Sequence, residues 1–313
     1  MDSESLKKIL ISLRKFSSKA IEYTIEANPE SLTEAKLSLF LDEGVNRISI
    51  GVQSFDNSIL KRLGRLHDGP GAVEAVMKAM NAGFKNIGID LIFGVWGETV
   101  PDWKNDLKTA ADLPVTHISC YDLTYEEHSL VKECVKNGSI IPLPEETSAD
   151  MYKLAISYLA DKGFAQYEIS NFSKPGFSCK HNFTYWNNDP YTGLGPSAVS
   201  SADGVRSENN PNVSKYIDKV MAGLQPGGSS EKLSPEKRAR ETAAVKIRTM
   251  EGIGFDWFKN KTGIELPLLE SKALPKLIAD GLIEEIGRGS EAERVRLTDK
   301  GILFCDTVSS AFL

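Results

Sequence analysis

The first 170 residues alternate between helical spacing of apolar residues and short runs in which every second residue is apolar. Three predicted helices end at a glycine, which adopts the left-handed conformation after a helix more easily than other residues: Gly44, Gly83 and Gly163. Five strand-like runs accompany these helices: Ile21–Glu26, Val45–Val52, Phe84–Phe93, Val115–Tyr121 and Phe164–Ser170. Such alternation predicts parallel strands with crossover helices, in an α/β barrel or a doubly wound sheet.

One face of each predicted strand is apolar and the other is small or polar, because successive strand residues point to opposite sides. Four residues of the polar face lie at or near the carboxyl ends of their strands: Glu26, Gln53, Asp90 and Tyr121. α/β barrels build their active sites at this end. Burying a polar group without a partner costs roughly 1–3 kcal/mol. Four such residues on one face therefore favour a ligand site over an ordinary core.

The chain changes character after Lys174. A segment dense in aromatic residues follows, with His181, Phe183, Tyr185 and Trp186 close together, and it is typical of a binding segment. The polar stretch Gly223–Ser230 predicts a linker. Beyond it, two helices (Pro235–Met250 and one around Leu268–Asp280) and two strands (Leu282–Ile286 and Arg294–Leu297, with Gly287 and Gly289 in the turn) predict a winged-helix-like module. We therefore expect three parts, residues 1–175, 176–226 and 231–313.

Charge and hydropathy narrow the classes of function. The net charge is −6, and residues 231–313 carry 14 basic and 14 acidic side chains, so the basic surface that nucleic-acid binding needs is missing. No apolar run approaches the roughly 20 residues of a membrane helix. The four cysteines, Cys120, Cys134, Cys179 and Cys305, are too scattered for a metal-cluster motif and indicate a reducing compartment. These features predict a cytoplasmic protein.

Several motifs along the chain resemble those of a known family. Glu26-Ala27-Asn28-Pro29, Gly51-Val52-Gln53-Ser54-Phe55, Gly64-Arg65 and Ile89-Asp90-Leu91-Ile92-Phe93-Gly94 look like successive motifs of the radical S-adenosylmethionine proteins of the coproporphyrinogen dehydrogenase group. His181-Asn182-Phe183-Thr184-Tyr185-Trp186 is similar to the HNxxYW motif of the heme chaperone (HemW-type) branch. The resemblance implies a partial (β/α)6 barrel of the radical S-adenosylmethionine type, followed by a HemN-C-like winged-helix-like domain.

The resemblance also implies cofactors and the residues that hold them. Glu26, Gln53, Arg65 and Asp90 would bind S-adenosylmethionine, although Arg65 could also be a solvated cation at a helix end. His181, Tyr185 and Trp186 would contact heme or a porphyrin, with the imidazole as axial ligand of the iron and the aromatic rings against the macrocycle. The alternative is that His181 and its neighbours only pack this segment. Heme-accepting proteins are possible partners.

The sequence lacks the motifs that hold the family's iron–sulfur cluster. The resemblance implies a 4Fe-4S cluster held by a CxxxCxxC loop, followed by a GGGTP segment, both upstream of the residue that corresponds to Glu26. Neither motif occurs in this sequence. Reductive cleavage of S-adenosylmethionine needs an electron from the cluster. We therefore expect the first barrel strand to be missing, the chain as written not to carry out radical chemistry, and the sequence to be a truncated reading of a longer gene.

Four functions remain open at this point. The first is a heme chaperone-like member of the radical S-adenosylmethionine group, in porphyrin and heme metabolism. The second is an oxygen-independent coproporphyrinogen III oxidase (dehydrogenase). The third is a non-catalytic heme-binding protein. The fourth is a barrel enzyme such as an aldolase or isomerase, with Glu26 and Asp90 as acid and base.

Overall fold

The computed structural model describes residues 1–17, 19–127, 129–287, 289 and 293–313. The chain forms two compact units, Met1–Ser178 and Cys179–Leu313. Each unit has its own sheet or sheets.

The first unit contains seven helices and a six-stranded sheet. The helices are α1 Ser3–Ser17, α2 Glu34–Asp42, α3 Asn57–Arg62, α4 Gly69–Ala82, α5 Val100–Asp112, α6 Leu130–Lys136 and α7 Glu145–Asp161. The strands are β1 Thr24–Ala27, β2 Arg47–Gln53, β3 Ile87–Phe93, β4 His117–Asp122, β5 Ala165–Gln166 and β6 Asn171–Ser173. Their order in the sheet is β1-β2-β3-β4-β6-β5.

Strands β1 to β4 are parallel, as the alternation of strands and helices predicts. Their apolar side chains are buried, with Ile48, Ile50, Ile87 and Ile89 fully shielded from solvent. Helix ends match the sequence signals as well, since Gly83 ends α4 in the left-handed conformation with φ 118°. The predicted apolar face of the sheet therefore forms the core of this unit.

The predicted fifth strand, Phe164–Ser170, is wrong in its extent and direction. The structure has a short β5, a reversal at residues 167–170 and then β6, which is antiparallel to both β4 and β5. The Glu168 carboxylate holds the reversal, because it accepts hydrogen bonds from the Ser170 amide (3.1 Å) and from the Asn171 side chain. The sheet is thus mixed, and the predicted barrel is not confirmed because the strands form a sheet with two edges. The first predicted strand also begins later, at Thr24, and Ile21 is exposed.

The second unit contains eight helices and two antiparallel three-stranded sheets among its described residues. The helices are α8 Lys180–Trp186, α9 Val213–Met221, α10 Pro235–Lys246, α11 Phe255–Thr262, α12 Leu266–Leu269, α13 Ala273–Ala279, α14 Asp299–Leu303 and α15 Cys305–Ser310. The strands are β7 Val199–Ala202, β8 Val205–Asn209, β9 Gly227–Lys232, β10 Ile253–Gly254, β11 Ile283–Ile286 and β12 Arg294–Leu297. The sheet orders are β7-β8-β9 and β10-β12-β11.

Two details of the second unit differ from the sequence prediction. The predicted linker Gly223–Ser230 is partly ordered, because Gly227 begins β9, which pairs along β8 through backbone hydrogen bonds. The predicted helix around Leu268–Asp280 is divided into α12 and α13. The strands β11 and β12 form the predicted pair, and of the turn between them Arg288 and residues 290–292 lie outside the described residues.

No helix in the described part of the chain has the length and apolar character required to cross a membrane.

Candidate functional site

The parallel register places three predicted polar residues near one another in the first unit. Glu26 on β1 lies opposite Ser49 on β2, and the Ser49 hydroxyl donates to the Asp90 carboxylate on β3 over 3.4 Å. Ser119 on β4 lies opposite Asp90 and also hydrogen-bonds its carboxylate. We call the set Glu26, Ser49, Asp90 and Ser119 the carboxylate face. It brings two acids together on the polar side of the sheet.

The electrostatic environment of Asp90 is shaped by opposing effects. Burial raises the pKa of Asp90 above its ordinary value, and the nearby charge of Glu26 raises it further. The hydroxyls of Ser119 and Ser49 and the positive charge of Arg47 lower this pKa. A carboxylate held in this way can accept hydrogen bonds from hydroxyl groups of a ligand.

Gln53 ends β2 in a strained conformation beside the carboxylate face. Its φ is 68°, in the left-handed region that residues other than glycine rarely adopt, and only 9% of the residue is exposed. A Cβ at Gly51 would lie 2.9 Å from Gln53 Nε2 and 3.3 Å from Asn28 Oδ1. Glycine at 51 therefore leaves room for both amide side chains beside it. Backbone strain of this kind costs on the order of 1–3 kcal/mol and is found at ligand sites.

Arg65 lies just beyond α3. Gly64 is left-handed (φ 67°), and the Arg65 amide donates to the Leu60 carbonyl over 2.9 Å, which closes the helix. Among the described residues, the half-buried Arg65 side chain makes no hydrogen bond or ion pair with Glu26, Gln53 or Asp90. The structure thus places Glu26 and Asp90 on the two strands that flank β2, where the charge of one acts on the other, with Gln53 at the end of β2 and Arg65 on a separate loop.

Tyr121, the fourth polar residue predicted at the strand ends, is 41% exposed on β4. The residues that sequence reasoning did not single out as ligands are Ser49, Ser119 and Asn28. Both serines follow the same strand alternation as Asp90, and this alternation could have identified them.

In the second unit, α8 presents a histidine and a tyrosine on one side. The His181 and Tyr185 rings lie 4.9 Å apart between centroids at 83°, as expected for residues four apart on a helix. Tyr191 adds a third ring, 4.8 Å from Tyr185. Its backbone is fixed by two hydrogen bonds with Ser201 of β7, each 2.9 Å. We call His181, Tyr185 and Tyr191 the aromatic face, of which His181 and Tyr185 are exposed.

Trp186 lies on another side of α8. It is five residues beyond His181, which places it about 140° around the helix. Its ring packs under the Arg248 guanidinium, whose central carbon is 5.7 Å from the ring centroid. The third ring of the aromatic face is therefore Tyr191. Helical spacing did not predict it, because Tyr191 lies beyond α8 and is positioned by its pairing with Ser201.

The cysteines do not form a metal site. Cys120, Cys179 and Cys305 are buried and Cys134 is half-buried. Burial raises the pKa of the Cys120 thiol, and this disfavours the thiolate that binds metal. Among the described residues, no group of three or more His, Cys, Asp or Glu side chains is arranged to hold a metal ion. The residues present therefore do not fit a cysteine-bound iron–sulfur cluster, whereas the carboxylate face fits the hydroxyls and amine of S-adenosylmethionine in chemical type.

Comparison with known proteins places the chain in a family. Residues 2–110 match the Radical SAM superfamily, and residues 233–304 match the HemN C-terminal domain. Escherichia coli coproporphyrinogen III oxidase (HemN), described as a radical SAM enzyme, has a similar fold with a TM-score of 0.81. The match has 18% sequence identity and covers 100% of this chain and 74% of that one. It confirms the α/β fold with a C-terminal domain.

Relatives found by sequence similarity identify the family more narrowly than the shared fold does. The heme chaperone HemW of Bacillus subtilis is 33% identical over 316 residues, covering 100% of this chain and 82% of that protein. The heme chaperone HemW of Lactococcus lactis is 34% identical over 292 residues, covering 93% of this chain and 75% of that protein. The resemblance predicted from the motifs is confirmed, and the chain belongs to the HemW family of heme chaperones within the radical SAM superfamily.

Proposed function

We propose that this protein is a heme chaperone that binds heme on the aromatic face of the second unit. The observation that carries the proposal is the exposed His181 ring beside Tyr185 and Tyr191. A neutral imidazole is an axial ligand of heme iron, and aromatic rings offer flat apolar surface to a macrocycle. The HemW relatives named as heme chaperones support the same function. A bound heme would then pass to a heme-accepting protein.

Trp186 has a different role in this proposal. It was predicted as a heme contact, but its ring packs under Arg248 on another side of the helix. We propose that it anchors α8, while Tyr191 contacts the porphyrin. Heme contact by Trp186 stays a prediction.

We further propose that the first unit binds S-adenosylmethionine. Glu26 would accept from the methionyl amine, Asp90 from the ribose hydroxyls, and Gln53 would hydrogen-bond the ligand from the end of β2. Arg65 would pair with the methionyl carboxylate. When bound to a radical enzyme, S-adenosylmethionine supplies an adenosyl radical after one-electron reduction. No group of the described residues is arranged to hold the cluster that delivers this electron, and the proposal for this unit concerns binding alone.

Heme titration of the purified chain tests the proposed chaperone function. The absorbance of the bound form is followed for the wild type, for His181→Ala and for the control Thr184→Ala, which alters the same helix. Thr184 hydrogen-bonds only the Lys180 carbonyl among the contacts described. We expect His181→Ala to weaken binding by about tenfold or more, since each tenfold corresponds to about 1.4 kcal/mol. Equal affinities of the wild type and His181→Ala would refute the aromatic face as the heme site.

The other functions stay predictions. The fold shared with coproporphyrinogen III oxidase supports no activity by itself, because one fold supports many activities. A non-catalytic heme-binding protein is consistent with the cysteine arrangement. Heme titration gives the same result for this function and for a chaperone. Transfer of bound heme to an acceptor protein would be seen only for the chaperone. The predicted cytoplasmic location and the predicted truncation also stay predictions.

A further inference from the structure

A buried arginine lies on the polar side of the sheet, at the beginning of β2. Arg47 is only 4% exposed, and its Nε has no hydrogen-bond partner among the described residues. Burying a guanidinium costs free energy unless nearby groups compensate its charge. Arg47 contacts neither proposed ligand, so the free-energy cost of its burial is not explained by direct binding.

The position of the guanidinium follows from Gly88 on β3. A Cβ at Gly88 would lie 3.0 Å from Arg47 Nη2, 3.1 Å from Ser49 Oγ and 3.5 Å from His117 Nδ1. The Arg47 guanidinium and the Ser49 hydroxyl therefore both lie beside Gly88, at the place that a side chain there would occupy. Because the Ser49 hydroxyl donates to Asp90, the guanidinium lies near a group that holds this carboxylate, and its charge acts on Asp90.

The charged and titratable groups around Asp90 come from each neighbouring strand. Glu26 on β1 is an acid whose charge opposes ionisation of Asp90, and Arg47 on β2 favours it. On β4, burial and the Arg47 charge lower the pKa of His117 to about 3, so this imidazole is neutral at pH 7. On the same strand, burial raises the pKa of Tyr121 to about 12, with a further contribution from the Asp90 charge, so this phenol is neutral at pH 7. Arg47 thus supplies positive charge that offsets the effect of Glu26 on the Asp90 carboxylate.

We propose that Arg47 is a positioning residue that keeps the Asp90 carboxylate charged, ready to accept hydrogen bonds from the ribose hydroxyls of S-adenosylmethionine. This inference rests on the proposed cofactor site in the first unit. Arg47 begins β2, whereas the proposed ligand lies toward the carboxyl ends of the strands. It therefore acts through Asp90 and does not contact the ligand.

Calorimetric titration of the full chain with S-adenosylmethionine between pH 5.5 and 8.5 tests this. The variants are Arg47→Gln, the charge-conserving Arg47→Lys, Asp90→Asn and the double variant Arg47→Gln/Asp90→Asn. In Arg47→Gln we expect affinity to fall by up to about tenfold per pH unit below the raised pKa of Asp90 and to recover at high pH. Arg47→Lys should keep the wild-type pH profile. In the Asp90→Asn background, Arg47→Gln should change affinity less than about threefold.

A purely structural role predicts another pattern. Equal loss of affinity at every pH, or the same loss with and without Asp90, would overturn the proposal. If Arg47→Gln does not fold, Arg47→Met takes its place, because it also removes the charge while keeping a long side chain in the interior, and it should produce the same pH profile. Lys78→Gln, which removes a half-buried cation paired with Glu74 on α4, is the matched charge control and should behave as the wild type.

The two proposals fail in different ways. If the wild type binds S-adenosylmethionine and the neutral variants follow its pH profile, the inference about Arg47 is wrong and the cofactor site stands. If the wild type shows no binding at any pH, the cofactor site and the inference that rests on it are both wrong.

Discussion

The carboxylate face and the aromatic face are built in opposite ways. Asp90 is held by hydroxyl groups from two neighbouring strands, with an acid and a buried arginine beside them. His181 and Tyr185 are exposed on one short helix, where the contact between their rings orders them. The first arrangement suits a polar ligand that needs fixed charges, and the second suits a flat apolar ligand that must also leave. The comparison predicts that a substitution in one face leaves the binding proposed for the other face unchanged.

The largest effect we expect concerns the buried acids of the first unit. Glu98, in the loop after β3, is 3% exposed, and burial raises its pKa to about 8 with a further contribution from the Asp106 charge. The folded state therefore holds a proton that the unfolded chain releases near pH 4.5. The stabilisation that this bound proton gives to the folded state is fully present below pH 4.5 and is lost as pH rises toward 8. The loss is up to about 1.4 kcal/mol per pH unit.

Glu98→Gln should remove this dependence, because an amide does not titrate. We expect the variant to be more stable than the wild type at pH 8, with a smaller advantage at pH 5, in urea unfolding at both values. The control is Glu74→Gln, which alters an exposed acid on α4. The same pH dependence in Glu98→Gln and the wild type would show that this carboxyl is not the source.

A second prediction separates the two faces. Gly51→Val should weaken S-adenosylmethionine binding by about 10- to 100-fold, since its Cβ would displace the Gln53 amide, and overpacking of this kind costs about 1–3 kcal/mol. Heme affinity, measured by absorbance titration of the same protein, should not change. A similar loss of affinity for both ligands in Gly51→Val would mean that the two faces are not independent.

The smallest expected effect sharpens the aromatic face itself. Tyr191→Leu should weaken heme binding by about two- to tenfold, because an aromatic contact is worth about 0.5–1.5 kcal/mol beyond its buried area. Trp186→Phe should have less effect, since that ring packs under Arg248. If the same titration shows a larger loss of heme affinity in Trp186→Phe than in Tyr191→Leu, the heme contact is made by Trp186.

The carboxylate face was largely predictable because it depends on strand alternation. Parity along β1 and β3 places Glu26 and Asp90 on the polar side, and parallel pairing then brings the strand ends together. The apolar positions between them predict the core of the first unit for the same reason. Here local pattern and tertiary structure depend on the same periodicity.

Features that depend on chain reversal were not predictable in this way. The reversal before β6 is held by the Glu168 carboxylate, and periodicity does not show which backbone amide a carboxylate will bind. Strand β9 pairs through backbone groups, for which glycine and serine give no apolar pattern. Tyr191 reaches the aromatic face through its pairing with Ser201. Each of these contacts is set by the tertiary structure.

The parallel register of β1 to β4 also has a consequence for how the chain folds. Glu26, Ser49, Asp90 and Ser119 come from a span of more than 90 residues, so their meeting requires closure of successive long crossovers, and contacts of this kind form slowly. The aromatic face uses residues 181–201, which a single helix and one short reversal bring together. We therefore expect a refolding chain to assemble the aromatic face before it assembles the carboxylate face.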